Sequence, residues 1–186
     1  MKEIDQIVEA LLFASPEPLT QKQINLVFEK NSPDLESQVK KLNNKYSQQG
    51  HGIEVLNLAG GYQIRTKPDF DFFVRKLLNN SNRSHLSQAA LETLSIISYK
   101  QPISKPDIEL IRGVDCGAVL KTLLSKVLIK IKGRNDSPGR PLMFATTNKF
   151  LQFFGLNKLS DLPKLKEVSE ILEEQPALTE QIDAFK

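Results

Sequence analysis

Tryptophan is absent, cysteine occurs once and histidine twice, and no apolar run is long enough to cross a bilayer. Each shortage excludes something. A lone Cys116 cannot form an internal disulfide and fits a reducing compartment, so a cytoplasmic protein is expected. A zinc centre needs about four nitrogen or sulfur ligands at close spacing, and His51, His85 and Cys116 lie far apart. His51 sits in a QQGHG turn and His85 in a polar stretch, so both read as solvated loop residues. The chain contains neither GxxxxGK[ST] nor a strand–GxGxxG–helix, the two common phosphate cradles. Spanning a membrane takes about 20 consecutive apolar residues. The segment MKEIDQIVEALLFAS is broken by Glu3, Asp5 and Glu9, and reads as an amphipathic helix rather than a signal peptide. No metal, no cofactor, no membrane and no enzymatic activity are therefore expected. The carboxylate pairs Asp69/Asp71 and Glu173/Glu174 read as solubilising surface.

What the chain does hold is a doubled pattern. From Leu86 to Leu156 the order is helix, helix, helix, strand, strand. Ser87 precedes the periodic Leu91, Leu94 and Ile97, and serves as an N-cap. That helix stops before Pro102, which has no N–H and drives Gln101 out of helical geometry. Ser104 caps a second helix with Pro106 in its first turn and Gly113 as its stop. Ile108, Leu110 and Ile111 are expected on its buried side. Asp115 reads as the cap of a third helix, marked by Val119, Leu120, Leu123, Leu124 and Val127. Leu128, Ile129 and Ile131 and then Leu142, Phe144 and Ala145 read as strands, joined by GRNDSPGRP. This is the order of a winged helix.

The first half repeats it. At a fixed offset of 84 residues, Pro18 pairs with Pro102, Leu19 with Ile103 and Thr20 with Ser104. The same offset pairs Ile24 with Ile108, Leu26 with Leu110 and Val27 with Ile111. A helix with Leu35, Val39 and Leu42 follows, then strands Ile53–Leu58 and Tyr62–Thr66 about a Gly60-Gly61 hairpin signal. An aromatic helix closes each half, with Phe70, Phe72 and Phe73 in one and Phe150, Phe153 and Phe154 in the other. The expected fold is mostly α with small β-hairpins (α+β), as two tandem winged-helix domains. Residues 1–78 form the first, NNSNRSH at 79–85 the linker, 86–156 the second, and 157–186 an acidic tail, partly helical or disordered.

Charge divides along the chain although the net is only +3. Residues 83–149 carry eleven basic and five acidic side chains, whereas 161–186 carry three and seven. A basic second domain suggests a polyanionic partner, while scattered solvated charge gives the same count. The third helix of that domain has no arginine for guanine and no asparagine or glutamine for adenine. Its counterpart in the first half mixes Gln38, Lys40, Lys41 and Asn43 with Asp34 and Glu36, weak equipment for reading sequence. Protein binding is favoured, and the alternative is a winged-helix DNA-binding transcriptional regulator.

Several segments carry a family resemblance: ALLFASPEPLT, AGGYQIRTKPDF, LSQAALETLSIISYKQPISKPDIELIRGVDCGAVLKTLL, GRNDSPGRPLMFATTNKFLQFFGL and LSDLP. Together they span most of residues 5–163, and the chain resembles the segregation and condensation protein B family of bacterial condensin-like complexes. The middle of the first domain and the tail after Leu165 carry no signature of it. The resemblance implies a non-enzymatic, cytoplasmic and nucleoid-associated adaptor, homodimeric chiefly through its N-terminal domain. It implies binding to the kleisin, segregation and condensation protein A, and through it to a structural-maintenance-of-chromosomes ATPase, with DNA contacted only weakly or indirectly. The complex condenses and segregates chromosomes in the cell cycle. Composition points to Tyr99 and to the wing residues Arg134, Pro138, Gly139, Arg140 and Pro141 as partner-binding positions, although such a wing serves equally to stabilise its hairpin.

Overall fold

The computed structural model describes residues 4–78 and 86–164. The expected linker 79–85 and, of the expected tail 157–186, residues 165–186 lie outside the described residues.

The first unit holds α1 (Ile4–Ala14), α2 (Gln21–Phe28), α3 (Leu35–Gln48), β1 (Ile53–Leu58), β2 (Gly61–Thr66) and α4 (Asp71–Leu77). The second holds α5 (Gln88–Lys100), β3 (Ile103–Ser104), α6 (Lys105–Arg112), α7 (Gly117–Ser125), β4 (Ile129–Arg134), β5 (Leu142–Thr146) and α8 (Asn148–Phe154). Each therefore has the three-helix-plus-hairpin order of a winged helix, and the sheets are small and antiparallel.

Local chemistry sets the helix starts. Thr20 and Gln23 form a capping box at α2, while Ser87, Ser104 and Thr147 each accept from a backbone N–H three residues on. Gly113 ends α6 at φ 74°, a left-handed conformation that glycine adopts without a Cβ clash. The third helix of the second unit begins differently from expectation. Cys116 occupies the N-cap, and Asp115 instead accepts from Gly117 N at 3.1 Å and from Lys105 Nζ at 2.9 Å. Lys105 also reaches Glu109 at 3.2 Å, and Glu109 takes the Cys116 N–H at 3.0 Å, so the turn between α6 and α7 is tied by charge.

The hairpins close each core through a short bridge to the turn before the second helix. Leu19 and Tyr62 exchange backbone hydrogen bonds at 2.7 and 2.8 Å. The equivalent Ile103 and Ser104 pair with Phe144 and Met143, giving a third strand that the alternation alone does not announce. The first hairpin turns at Ala59 and Gly60, with φ 50° and 81°, not at Gly60-Gly61. Gly61 opens β2, and its lack of a side chain serves the bridge: a Cβ there would lie 2.8 Å from the carbonyl oxygens of both Pro18 and Leu19.

Side-chain amides finish the job of anchoring strands. Asn43 pairs both ways with the Val55 backbone at 2.8 and 2.9 Å, tying α3 to β1. Gln101 accepts from Thr146 N at 2.9 Å and donates to the Thr146 hydroxyl at 2.9 Å, tying the end of α5 to β5.

One apolar core lies in each unit. The first gathers Val8, Leu12, Leu19, Ile24, Leu35, Val39, Leu42, Tyr46 and Val55. The second gathers Ala90, Leu94, Ile97, Ile103, Ile108, Cys116, Leu120, Leu123, Leu128, Ile129, Phe144 and Phe150. Leu156 and Leu162 pack on the second core, so the chain past α8 folds back over its own unit. The units meet where Ala59 N donates to Leu156 O at 2.9 Å and Gly60 N to Asn157 Oδ1 at 2.8 Å. Gln152 also donates to Glu17 Oε2 at 2.5 Å.

Two outcomes follow from these contacts. Gly61→Ala will destabilise the protein by about 2 kcal/mol or more in urea unfolding, because the new methyl group meets two fixed backbone carbonyls. The second outcome concerns Tyr46, which is 2% exposed and donates to Glu9 Oε1 at 2.8 Å. Burial, then that bond and the Glu9 charge, hold its phenol well above the ordinary tyrosine range. The unfolded chain loses this proton near pH 10 and the folded one does not, so stability falls as pH rises past about 10. Tyr46→Phe will flatten that fall, measured by unfolding at stepped alkaline pH.

Candidate partner-binding surfaces

The wing is built to hold itself. β4 and β5 pair from Ile129↔Thr146 to Arg134↔Leu142, with a bulge between Ile131 and Gly133. Beyond the strands, Asn135 N donates to Pro141 O at 2.9 Å, Arg140 N to Ser137 O at 2.9 Å and Arg134 Nη1 to Arg140 O at 3.0 Å. Gly139 at φ 82° and Arg140 at φ 41° make the reversal that Pro138 and Pro141 frame. Residues 131–140 are all exposed. The Arg134 guanidinium is partly committed to the loop, whereas the Arg140 side chain projects from a strained backbone.

Tyr99 stands apart from the wing. It lies in the last turn of α5, and its hydroxyl donates to Pro163 O at 2.7 Å. Leu159, Ser160, Leu162 and Pro163 line a groove beside it, so part of its ring is covered by the chain that follows α8. The structure thus places the six sequence-derived positions in two separate places, the wing on β4–β5 and Tyr99 under residues 159–164.

The surface residues that pattern reasoning missed lie on the second helices. Leu110 and Ile111 were expected to be buried with Ile108, yet only Ile108 is; Leu110 is 84% exposed and Ile111 more than half. An eight-residue helix packed on one side has room for a single buried row, and Ile108 with the preceding Ile103 fills it. The first unit does the same. Ile24 is buried while Leu26, 71% exposed, and Val27 face outward. The two pairs are the same positions of the repeat at the 84-residue offset, and that doubling was the available signal. Val127 also leaves the predicted helix, taking φ 57° beyond α7 with its side chain exposed.

Apolar exposure is heavier in the first unit. Phe13 on α1, 83% exposed, and Phe72, Phe73 and Leu77 on α4 project from it. Isolated exposed apolar residues are ordinary, but three large ones within the seven residues of α4 mark a candidate interaction surface.

Among the described residues, Cys116 and His51 lie in different units and share no site. Cys116 is buried, and burial, followed by the Glu109 charge, pushes its thiol up from the ordinary range, away from thiolate reactivity. His51 is exposed and stands edge-on to Tyr46 at 5.3 Å. Among the described residues no group of three His, Cys, Asp or Glu could hold a metal, and no helix is long and apolar enough to cross a membrane.

The profile of the family described as "Segregation and condensation complex subunit ScpB" matches residues 6–165. The chain is similar to "Segregation and condensation protein B" of Syntrophotalea carbinolica, 44% identical over 182 residues that cover 98% of this chain and 92% of that one. Among solved structures it is similar to ScpB from Mycobacterium tuberculosis, at 31% identity and a TM-score of 0.39, covering 83% of this chain and 96% of that one. A further structure, a dimer of the ScpB N-terminal domain complexed with ScpA peptide, covers 44% of this chain and 98% of that one, at 29% identity and a TM-score of 0.38.

Serine at Leu110 tests the exposure argument directly. Leu110→Ser will change unfolding free energy by less than about 0.5 kcal/mol, as for other exposed positions. Ile108→Ala, two residues away on the buried face, will cost about 2 kcal/mol or more in the same urea titration.

Proposed function

The chain belongs to the segregation and condensation complex subunit ScpB family, and on that premise we propose that it is a non-enzymatic adaptor that grips the kleisin, segregation and condensation protein A. Through that kleisin it joins a structural-maintenance-of-chromosomes ATPase, the partner that hydrolyses ATP, and supports chromosome condensation and segregation at the nucleoid. The observation that carries the reading is the doubled apolar pair, Leu26/Val27 and Leu110/Ile111, left uncovered at the same place in both units. An amphipathic helix of the kleisin seats its apolar row on such a face through i, i+3 and i+4 anchors. Two such faces on one chain suit a partner that is held at two points, where linkage multiplies affinity.

The first unit serves a second role as the self-association surface of a homodimer, using Phe13, Phe72, Phe73 and Leu77. Large exposed aromatic side chains are the usual centre of such an interface. The wing residues Arg134, Pro138, Gly139, Arg140 and Pro141 and the Tyr99 edge contribute at the rim of the kleisin contact, where Arg140 offers a guanidinium to a carboxylate. The expected division into 1–78 and 86–156 is supported by one core per unit, with Leu162 extending the packing of the second beyond 156.

Calorimetric titration of the full chain with purified kleisin tests this. Leu26→Ser combined with Leu110→Ser will weaken binding at least about tenfold, the scale of a lost interface anchor, with circular dichroism unchanged. Arg134→Ala with Arg140→Ala will weaken it by a smaller factor. Unchanged affinity in the first variant defeats the helix-face reading, and in the second removes the wing from it.

A further inference from the structure

Residues 116–160 contain eight lysines and arginines and a single acid, Asp136. The stretch folds as α7, β4, β5 and α8, so the charge is spread over several elements rather than confined to a tail. Lys126 after α7, Lys130 on β4 and Lys149 on α8 line one groove of about 540 Å³, together with Asn148. Glu17 from the first unit is the acid on its wall, and it is already bonded to Gln152 at 2.5 Å. Lys130 and Lys149 are exposed, as are Lys121 on α7 and Lys132 on β4. Nothing in the adaptor function proposed above uses this groove.

We propose that the α7–β4–α8 face, with Lys130 and Lys149 across its groove, binds the phosphate backbone of duplex DNA without reading base sequence. The donors are ammonium groups, point charges that meet phosphate oxygens from any direction, and they sit on three separate elements, as a line of regularly spaced phosphates requires. Duplex DNA presents one negative charge about every 1.7 Å of its axis, a denser target than an acidic peptide. In a helix–turn–helix the second helix enters the major groove, and here that helix, GAVLKTLLS, has no arginine, asparagine or glutamine to select a base. Backbone contact is what remains to it. A member of a chromosome segregation and condensation family also has DNA as the polyanion close at hand. This inference rests on the family and on the charge geometry, and is independent of how the kleisin is held.

Fluorescence anisotropy of the full chain with two labelled duplexes of unrelated sequence, each about 20 base pairs, tests it. Equal affinity for both is expected, falling about fortyfold between roughly 50 and 200 mM salt if about three phosphates are neutralised. Lys130→Glu with Lys149→Glu will lower affinity at least about tenfold at the lower salt and reduce the salt slope by about two phosphates. The same variant will keep its circular dichroism and its kleisin affinity, so failure here is distinguishable from failure of the adaptor reading. No binding at the lower salt, undiminished binding by the variant, or a preference for one duplex would each overturn the proposal. So would binding of a synthetic peptide of residues 165–186 in place of the duplex, which would hand the face to an acidic protein segment.

Discussion

Each unit depends on a short backbone bridge, one residue pair in the first and two in the second, between the turn before its second helix and its hairpin. Leu19 meets Tyr62, and Ile103–Ser104 meets Phe144–Met143. A core of nine to twelve buried side chains is small, and three short helices cannot enclose it alone. The bridge brings the hairpin down as a lid, satisfies backbone groups that would otherwise be buried unpaired, and seats Leu19 and Ile103 in the apolar centre. The missing side chain at Gly61 and the amide clamps of Asn43 and Gln101 serve the same closure.

That economy has a surface consequence. With a single buried row per second helix, the apolar residues beside it are left to solvent, and they are left there twice. Exposed apolar pairs such as Leu26/Val27 and Leu110/Ile111 lower the solubility of a free chain, which makes them candidate interaction surfaces. Charge is partitioned as well. The exposed apolar pairs lie on α2 and α6, whereas the lysine-lined groove lies among α7, β4 and α8.

The wing shows how composition and geometry separate. GRNDSPGRP announces a turn, and the turn is there, but only in the folded hairpin does Arg134 spend part of its guanidinium on the Arg140 carbonyl. Tyr99 is similar. Its position at a helix end suggests a surface ring, and its hydroxyl is held by Pro163, 64 residues further along the chain.

Local chemistry was legible in the residues themselves. The caps at Thr20, Ser87 and Ser104, the stop at Gly113 and the strand pair near 53–66 depend on neighbours within a few positions, and the 84-residue repeat shows by alignment of the chain with itself. The repeat and its matching segments were enough to indicate the fold class and the family. Three-dimensional placement was decided elsewhere. Whether Leu110 is buried depends on how many sides of an eight-residue helix are covered, and periodicity cannot count its neighbours. The turn at Ala59-Gly60 instead of Gly60-Gly61 was set by the approach of Pro18 and Leu19, some forty residues away. Asp115 was drawn from capping by Lys105, and the lysines of α7, β4 and α8 became neighbours only when the hairpin folded back. Short-range hydrogen bonding and periodicity reside in the sequence; burial and the company of distant charges arise when the chain closes on itself.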